Sequence, residues 1–290
     1  MIKNSLSRLF RGQRSFFLMV PALVWQILFL CIPLVVIFIL SFLKVQDNVT
    51  LSYSLSHYAS FFKPQYLKII FRSLLLGSIN TLICLLIGYP LAYYLVFRVG
   101  RWKNTLLFLL ILPFWTNLLV LAYAWFFVLD KYGLFNNSLM SLGVISEPLT
   151  LLNTPFSVYL VMIYCYLPFM VLPIYSILEK LDKRLIEASD DLGARWWESF
   201  WRVIFPLSMS GIQTGVFLVF VQSFGEFVIP ELLGGGKTFY VGTLISHYFL
   251  VSRNPFAGAA FTCFSVLFLI AVAYMLYRMF KKVNSTGGVR

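Results

Sequence analysis

Six long apolar runs dominate the chain, at 16–43, 73–97, 104–128, 153–178, 206–230 and 256–280. A helix needs about 20 residues to cross the hydrocarbon core of a bilayer, and each run reaches that length. The runs are continuous, whereas a spanning strand would alternate over about ten residues. Helices satisfy their own backbone groups, as lipid demands. The pattern therefore predicts an all-α integral membrane protein with six transmembrane helices. Prolines 21, 33, 90, 113, 168 and 173 fall inside the runs. They predict kinks, read either as ordinary bundle features or as gating hinges. The stretch 48–72 is amphipathic and reads as a cap outside the membrane before the second span.

Charge then orients the spans. Lys3, Arg8, Arg11 and Arg14 precede the first run. Arg98, Arg101 and Lys103 fill the loop after the second. Lys180, Lys183, Arg184, Arg195 and Arg202 lie in 179–205, and Arg278, Lys281, Lys282 and Arg290 close the chain. The opposite side holds the remaining seven of the 23 basic residues: Lys44, Lys63, Lys68, Arg72, Lys131, Lys237 and Arg253. The positive-inside rule places both termini in the cytoplasm, and an even number of spans agrees. This gives a cytoplasmic tail at 1–15, one transmembrane domain at 16–280 and a second tail at 281–290. The first run exceeds the apolar core of a signal peptide.

Composition narrows the class. Sixty per cent of the residues are hydrophobic and 12% charged, against about 25% charged in soluble domains. The net charge of +12 reads as membrane sidedness, since no basic groove-binding motif accompanies it; nucleic acid is not an expected partner. Cys31, Cys84, Cys165 and Cys263 each sit alone in an apolar run, without metal or redox spacing. His57 and His247 fall in predicted loops, so no metal site is expected. No serine–histidine, di-aspartate or metal set lies within the spans, and the chain does not read as an enzyme.

The loop 179–205 differs from the rest. It holds six of the 11 acidic residues: Glu179, Asp182, Glu187, Asp190, Asp191 and Glu198. Asp182 suits a helix N-cap and Gly193 the left-handed position after its C-terminus. The helix between them carries Leu185, Ala188 and Leu192 as an apolar stripe, with Glu187, Asp190 and Asp191 largely off it. A second short helix, with Trp196, Phe200 and Val203 on one side, leads to Pro206, where the fifth span begins. Two partners fit the stripe: the lipid interface, or a groove on a soluble protein. Three clustered acids disfavour an anionic lipid surface and favour the protein.

Glu187-Ala188-Ser189, Gly193 and Val203-Ile204-Phe205-Pro206 resemble the EAA loop of binding-protein-dependent ABC permeases. Ser189 stands for the second alanine, and Val203 and Phe205 for isoleucine and leucine. Pro113-Phe-Trp-Thr-Asn117, Leu167-Pro-Phe-Met-Val-Leu-Pro-Ile-Tyr175, Gly225-Glu-Phe-Val-Ile-Pro-Glu-Leu-Leu-Gly234 and Pro255-Phe-Ala-Gly-Ala259 resemble the spermidine/putrescine permeases, their B component in particular. The likeness covers residues 55 to 280 or so. It implies a type I importer bundle in the bacterial inner membrane, made with a second homologous permease subunit. It also implies a cytoplasmic ATPase dimer and an extracytoplasmic substrate-binding protein as partners. Coupling to the ATPase would fall to Glu187, Ala188, Ser189, Asp190, Asp191 and Gly193. ATP and Mg would be bound by the ATPase and no cofactor by this chain. Gly234-Gly-Gly-Lys-Thr238 agrees, because Glu231 occupies the position of the first P-loop glycine.

A substrate path is read from ionisable residues in the spans. Glu226 and Glu231 could attract a cationic amine, with Trp115, Asn117, Tyr123, Phe224 and Phe227 nearby and the aromatics adding cation–π contacts. The competing reading has Glu226 bound to a neighbouring helix. Two positions depart from the polyamine permeases. Val120-Leu121-Ala122 replaces a region that often carries a base, and Ser252-Arg253-Asn254 puts a positive group where an acid is usual. The alternatives are the same importer class with another small solute, or a secondary transporter working without an ATPase.

Overall fold

The structure is a computed structural model; it describes residues 2–46 and 50–287. Arg290, counted in the charge pattern, lies outside the described residues, as do the side chains of Lys3, Arg8, Arg11, Arg14, Lys183 and Lys282. The main elements are α1 (Ile2–Leu40), β1 (Leu43–Gln46), β2 (Thr50–Tyr53), α2 (Ser56–Phe61), α3 (Pro64–Phe97), α4 (Lys103–Trp115) and α5 (Leu118–Leu129). They continue as α6 (Leu134–Ser141), α7 (Pro155–Glu179), α8 (Lys183–Asp191), α9 (Trp196–Ser199), α10 (Phe205–Gly225), α11 (Val228–Leu233), α12 (Val241–Ser246) and α13 (Pro255–Gly287). Six helical segments among the described residues are long and apolar enough to cross a membrane.

The chain divides into two units. The first contains residues 1–62 and 248–264. Its α1 carries an apolar window, Met19–Leu40, of which 0% is buried against the rest of the chain. Such a surface is stable only with lipid or another subunit as its solvent. Beyond it the chain turns back as the antiparallel hairpin β1–β2, with Leu43 opposite Tyr53 and Gln46 opposite Thr50. Helix α2 follows, pinned by Phe61, whose ring lies 5.2 Å from that of Phe261 and 5.6 Å from that of Phe264. The Tyr58 hydroxyl donates to Ser41 Oγ at 2.9 Å and ties α2 to the end of α1. The stretch read as an amphipathic cap thus contains a hairpin edge and a short helix.

The second unit holds residues 63–247 and 265–290. Its core is the three-helix packing of α3, α7 and α10, filled by side chains such as Leu76, Met162, Met170, Ile174, Ile212 and Val219. Lipid offers apolar side chains no worse a home than the core does, so close packing and interhelical hydrogen bonds must hold these helices together. Gly211 and Gly215, one turn apart on α10, meet that need. A Cβ on Gly211 would lie 2.8 Å from the Pro173 carbonyl oxygen, and one on Gly215 would lie 2.8 Å from Met170 Sδ. Polar pairs add to this: Asn80 Nδ2 donates to Ser223 Oγ at 2.7 Å, and the Tyr89 and Ser208 hydroxyls lie 3.0 Å apart.

Three boundaries differ from the hydropathy reading. The second span starts at Pro64, not at 73, because Lys68 and Arg72 interrupt an apolar run without interrupting a helix. Pro64 sits in the first turn, where its missing N–H costs nothing. The run 104–128 is two helices. Pro113 withdraws a donor near the end of α4, Thr116 is extended, and Asn117 restarts the chain by accepting the Leu119 N–H at 2.9 Å. The fifth span does not begin at Pro206. It is one helical rod over Trp196–Gly225, with a π-turn at Phe200–Ile204. Pro206 cannot donate to the Arg202 carbonyl and its ring crowds it, so the helix widens there instead of ending.

Candidate functional site

The first candidate site is the loop end of the bundle. Helix α8 forms as the caps predict: Asp182 accepts the Arg184 N–H at 3.0 Å, and Gly193 closes the helix at φ +78°. At that angle an L side chain is strained, which is why glycine stands there. Ile186 and Ser189 turn towards the chain, whereas Leu185, Glu187, Ala188, Asp190, Asp191 and Leu192 are exposed. Leu192 is 89% exposed. The apolar stripe therefore finds no partner within the described chain.

What fixes α8 to the bundle is polar. Ser189 Oγ donates to Ser199 Oγ at 2.8 Å, and the buried Ser199 hydroxyl reaches Asp190 Oδ1 at 3.3 Å. Ser199 belongs to the rod that becomes α10. Trp196 Nε1 donates to Tyr93 on α3 at 3.1 Å, and Glu198 caps its own helix by accepting the Arg195 N–H at 3.0 Å. Lys103 Nζ pairs with Glu179 Oε1 at 2.7 Å, so the loops 98–103 and 179–205 share one end of the bundle. The carboxylate of Glu179 holds the Lys103 ammonium above its usual pKa by this hydrogen bond. Helix α8 is thus joined to the rod of α10 through Ser189 and Ser199, and that rod to α3 through Trp196 and Tyr93.

The second candidate lies where helices break within the apolar layer. A cleft of about 240 Å³ opens at the α4–α5 break, lined by residues that include Pro113, Phe114, Tyr166, Phe169 and Gln222. Beside it α10 ends at Gly225 and Glu226 adopts an extended backbone. The Glu226 side chain is 6% exposed. Its Oε1 accepts the N–H groups of Phe227, Val228 and Ile229 at 3.0, 2.8 and 3.3 Å. Its Oε2 accepts from the Tyr166 hydroxyl. Both carboxylate oxygens are engaged by the chain itself, the arrangement of the competing reading.

The other residues expected on the path scatter. Trp115 is 72% exposed, Tyr123 and Phe227 are exposed, and Asn117 is spent as a cap. Glu231 is exposed on α11. Phe224 is buried in the core against Phe220 and lines no cleft described here. Tyr166, Phe114 and Phe169 were not singled out by sequence reasoning. Tyr166 is one of four tyrosines in that span, with Tyr159, Tyr164 and Tyr175, so no local signal set it apart.

A long multi-helix membrane bundle with a capped, outward-facing loop helix is the build of an importer permease. The chain belongs to the family of binding-protein-dependent transport system inner membrane components, whose model matches residues 84–284. It is a multi-pass inner-membrane permease subunit of an ABC importer, not itself an enzyme. Among its relatives is the spermidine/putrescine transport system permease protein PotB of Haemophilus influenzae. That protein is 40% identical over 263 residues, which cover 90% of this chain and 92% of the relative. PotB of Escherichia coli (strain K12) is 40% identical over 255 residues, covering 87% and 91%. The fold matches a chain of the bacterial alginate ABC transporter solved with an alginate pentasaccharide-bound periplasmic protein. That match has a TM-score of 0.78 at 16% identity and covers 96% of this chain and 97% of the other.

Proposed function

We propose that this chain forms half of the translocation pathway of an ATP-driven polyamine importer. A second homologous permease would supply the other half, and a cytoplasmic ATPase dimer, holding ATP and Mg, would drive it. An extracytoplasmic binding protein would deliver spermidine or putrescine. The observation that carries the substrate is the 40% identity to PotB across nine-tenths of both chains. The cleft at the α4–α5 break supports it, since Phe114, Tyr166 and Phe169 offer aromatic faces to an organic ammonium. Such contacts are worth about 0.5–2 kcal/mol each, enough to guide a flexible cation without trapping it.

Coupling is assigned to α8. The exposed Leu185, Ala188 and Leu192 would seat in a groove on the ATPase, with Glu187, Asp190 and Asp191 at its rim. Both termini and the loop 179–205 then face the cytoplasm, as the basic residues require. Glu226 acts in this scheme as a positioning residue that holds α11 and Tyr166 at the edge of the cleft.

The test is uptake of labelled putrescine and spermidine by cells carrying the complete transporter, with and without this chain. Uptake that needs both this chain and ATP is the expected result. An assembled complex with active ATPase and no polyamine uptake would sink the substrate assignment. A Glu187→Lys variant that still couples hydrolysis normally to uptake would sink the role of α8.

A further inference from the structure

The first unit contains a second cleft, outside the path proposed for the substrate. It measures about 420 Å³ and is lined by Lys44 from β1, His57 from α2, and Arg253, Asn254 and Pro255 at the start of α13. No described carboxylate lines it or lies within ion-pair distance of Lys44 or Arg253. The N-terminal end of α13, a 33-residue helix, adds its own partial positive charge. Asn254 caps that helix by accepting the Ala257 N–H at 3.1 Å. The Phe61 and Tyr58 contacts described above hold α2, and with it His57, against α13 and the end of α1. Burial, and then the Lys44 ammonium, keep His57 below the ordinary imidazole pKa. The cleft is thus an assembled positive site whose like charges nothing described neutralises.

Its position selects the ligand. Lys44 follows the membrane window of α1, which ends at Leu40, and Arg253 precedes that of α13, which begins at Pro255. Two spanning helices therefore place both cations where hydrocarbon gives way to headgroups. Phosphate is the anion abundant at that level. Its oxygens suit the two-pronged guanidinium of Arg253 together with the ammonium of Lys44. We propose that the cleft formed by Lys44, His57 and Arg253 binds a phosphate group at the membrane surface, supplied by an anionic phospholipid headgroup.

The test uses the complete transporter in nanodiscs of phosphatidylcholine, with or without phosphatidylglycerol, and in a third arm phosphatidylcholine with inorganic phosphate. The readout is the rate at which an uncharged amine reagent modifies Lys44, relative to Lys237 outside the cleft. Phosphatidylglycerol is expected to slow Lys44 selectively. Arg253→Gln and His57→Gln, tested separately, are each expected to relieve that protection, by about fivefold for the loss of the Arg253 charge. Arg253→Lys should retain most of it. Protection by inorganic phosphate in phosphatidylcholine discs would keep the phosphate site but overturn the lipid as its source. Equal modification of Lys44 and Lys237 in all discs, or protection untouched by either Gln variant, would overturn the site.

Discussion

The Tyr166 hydroxyl donates to Glu226 Oε2 across 60 residues of sequence, joining the middle of α7 to the break after α10. The other oxygen of Glu226 gathers the first three N–H groups of the following segment. The extended backbone of Glu226 ends the spanning helix, and its carboxylate starts the next short one. Its burial is tolerated because charge-assisted bonds replace the lost water.

Removing either partner should be costly. Tyr166→Phe leaves a buried carboxylate oxygen short of a donor and should lower stability by roughly 1–3 kcal/mol. Glu226→Ala strands three N–H groups and the tyrosine and should cost more. Glu226→Gln keeps an acceptor and should fall between wild type and Glu226→Ala. Thermal unfolding of the purified chain in detergent ranks the three variants. An unchanged melting temperature for Tyr166→Phe would show that the bond contributes nothing.

The α7–α10 contact should tolerate no side chain at Gly211. A Cβ there meets the backbone at Pro173 and Ile174, which cannot swing aside as a flexible side chain would. Gly211→Val should destabilise the bundle by about 1–3 kcal/mol or more through overpacking. Gly225→Ala, where nothing lies within 4 Å, is the control and should melt close to wild type.

Ser189 stands where the family pattern has alanine, and its hydroxyl links α8 to the rod beneath it. Ser189→Ala should loosen α8 by about 0.5–1.5 kcal/mol, the worth of one hydrogen bond. Hydrogen exchange of residues 183–191 should then accelerate by up to roughly tenfold. Uptake per ATP hydrolysed should fall while hydrolysis persists. Unchanged exchange at α8 would refute the link.

His57 predicts a pH dependence. Its pKa in the folded chain is lowered, by burial first and the Lys44 charge second, so the unfolded chain binds its proton more readily. Its contribution to stability is complete above the unfolded value of about 6.5 and is lost as the pH falls through that value towards the folded one. Melting temperatures in phosphate-free phosphatidylcholine-compatible detergent should decline between about pH 7 and pH 5, and His57→Gln should flatten part of that decline. A profile identical in the variant would contradict this.

Hydropathy determined the membrane class and the approximate spans, because lipid imposes a one-dimensional rule on each segment independently, and the placement of Lys and Arg determined the charge asymmetry between loops. The ends of α8 were equally legible, since Asp182 and Gly193 act on their own neighbours. The tertiary structure decided everything that depends on which apolar residue faces what. In lipid, core and surface are written with the same letters, so nothing local separates the buried Phe224 from the exposed Trp115. The closeness of α10 to α7 at Gly211, the engagement of Glu226 by Tyr166, and the meeting of Lys44, His57 and Arg253 all join residues far apart in sequence. Their energies come from approach distance and from the loss of water, and neither exists until the helices have packed.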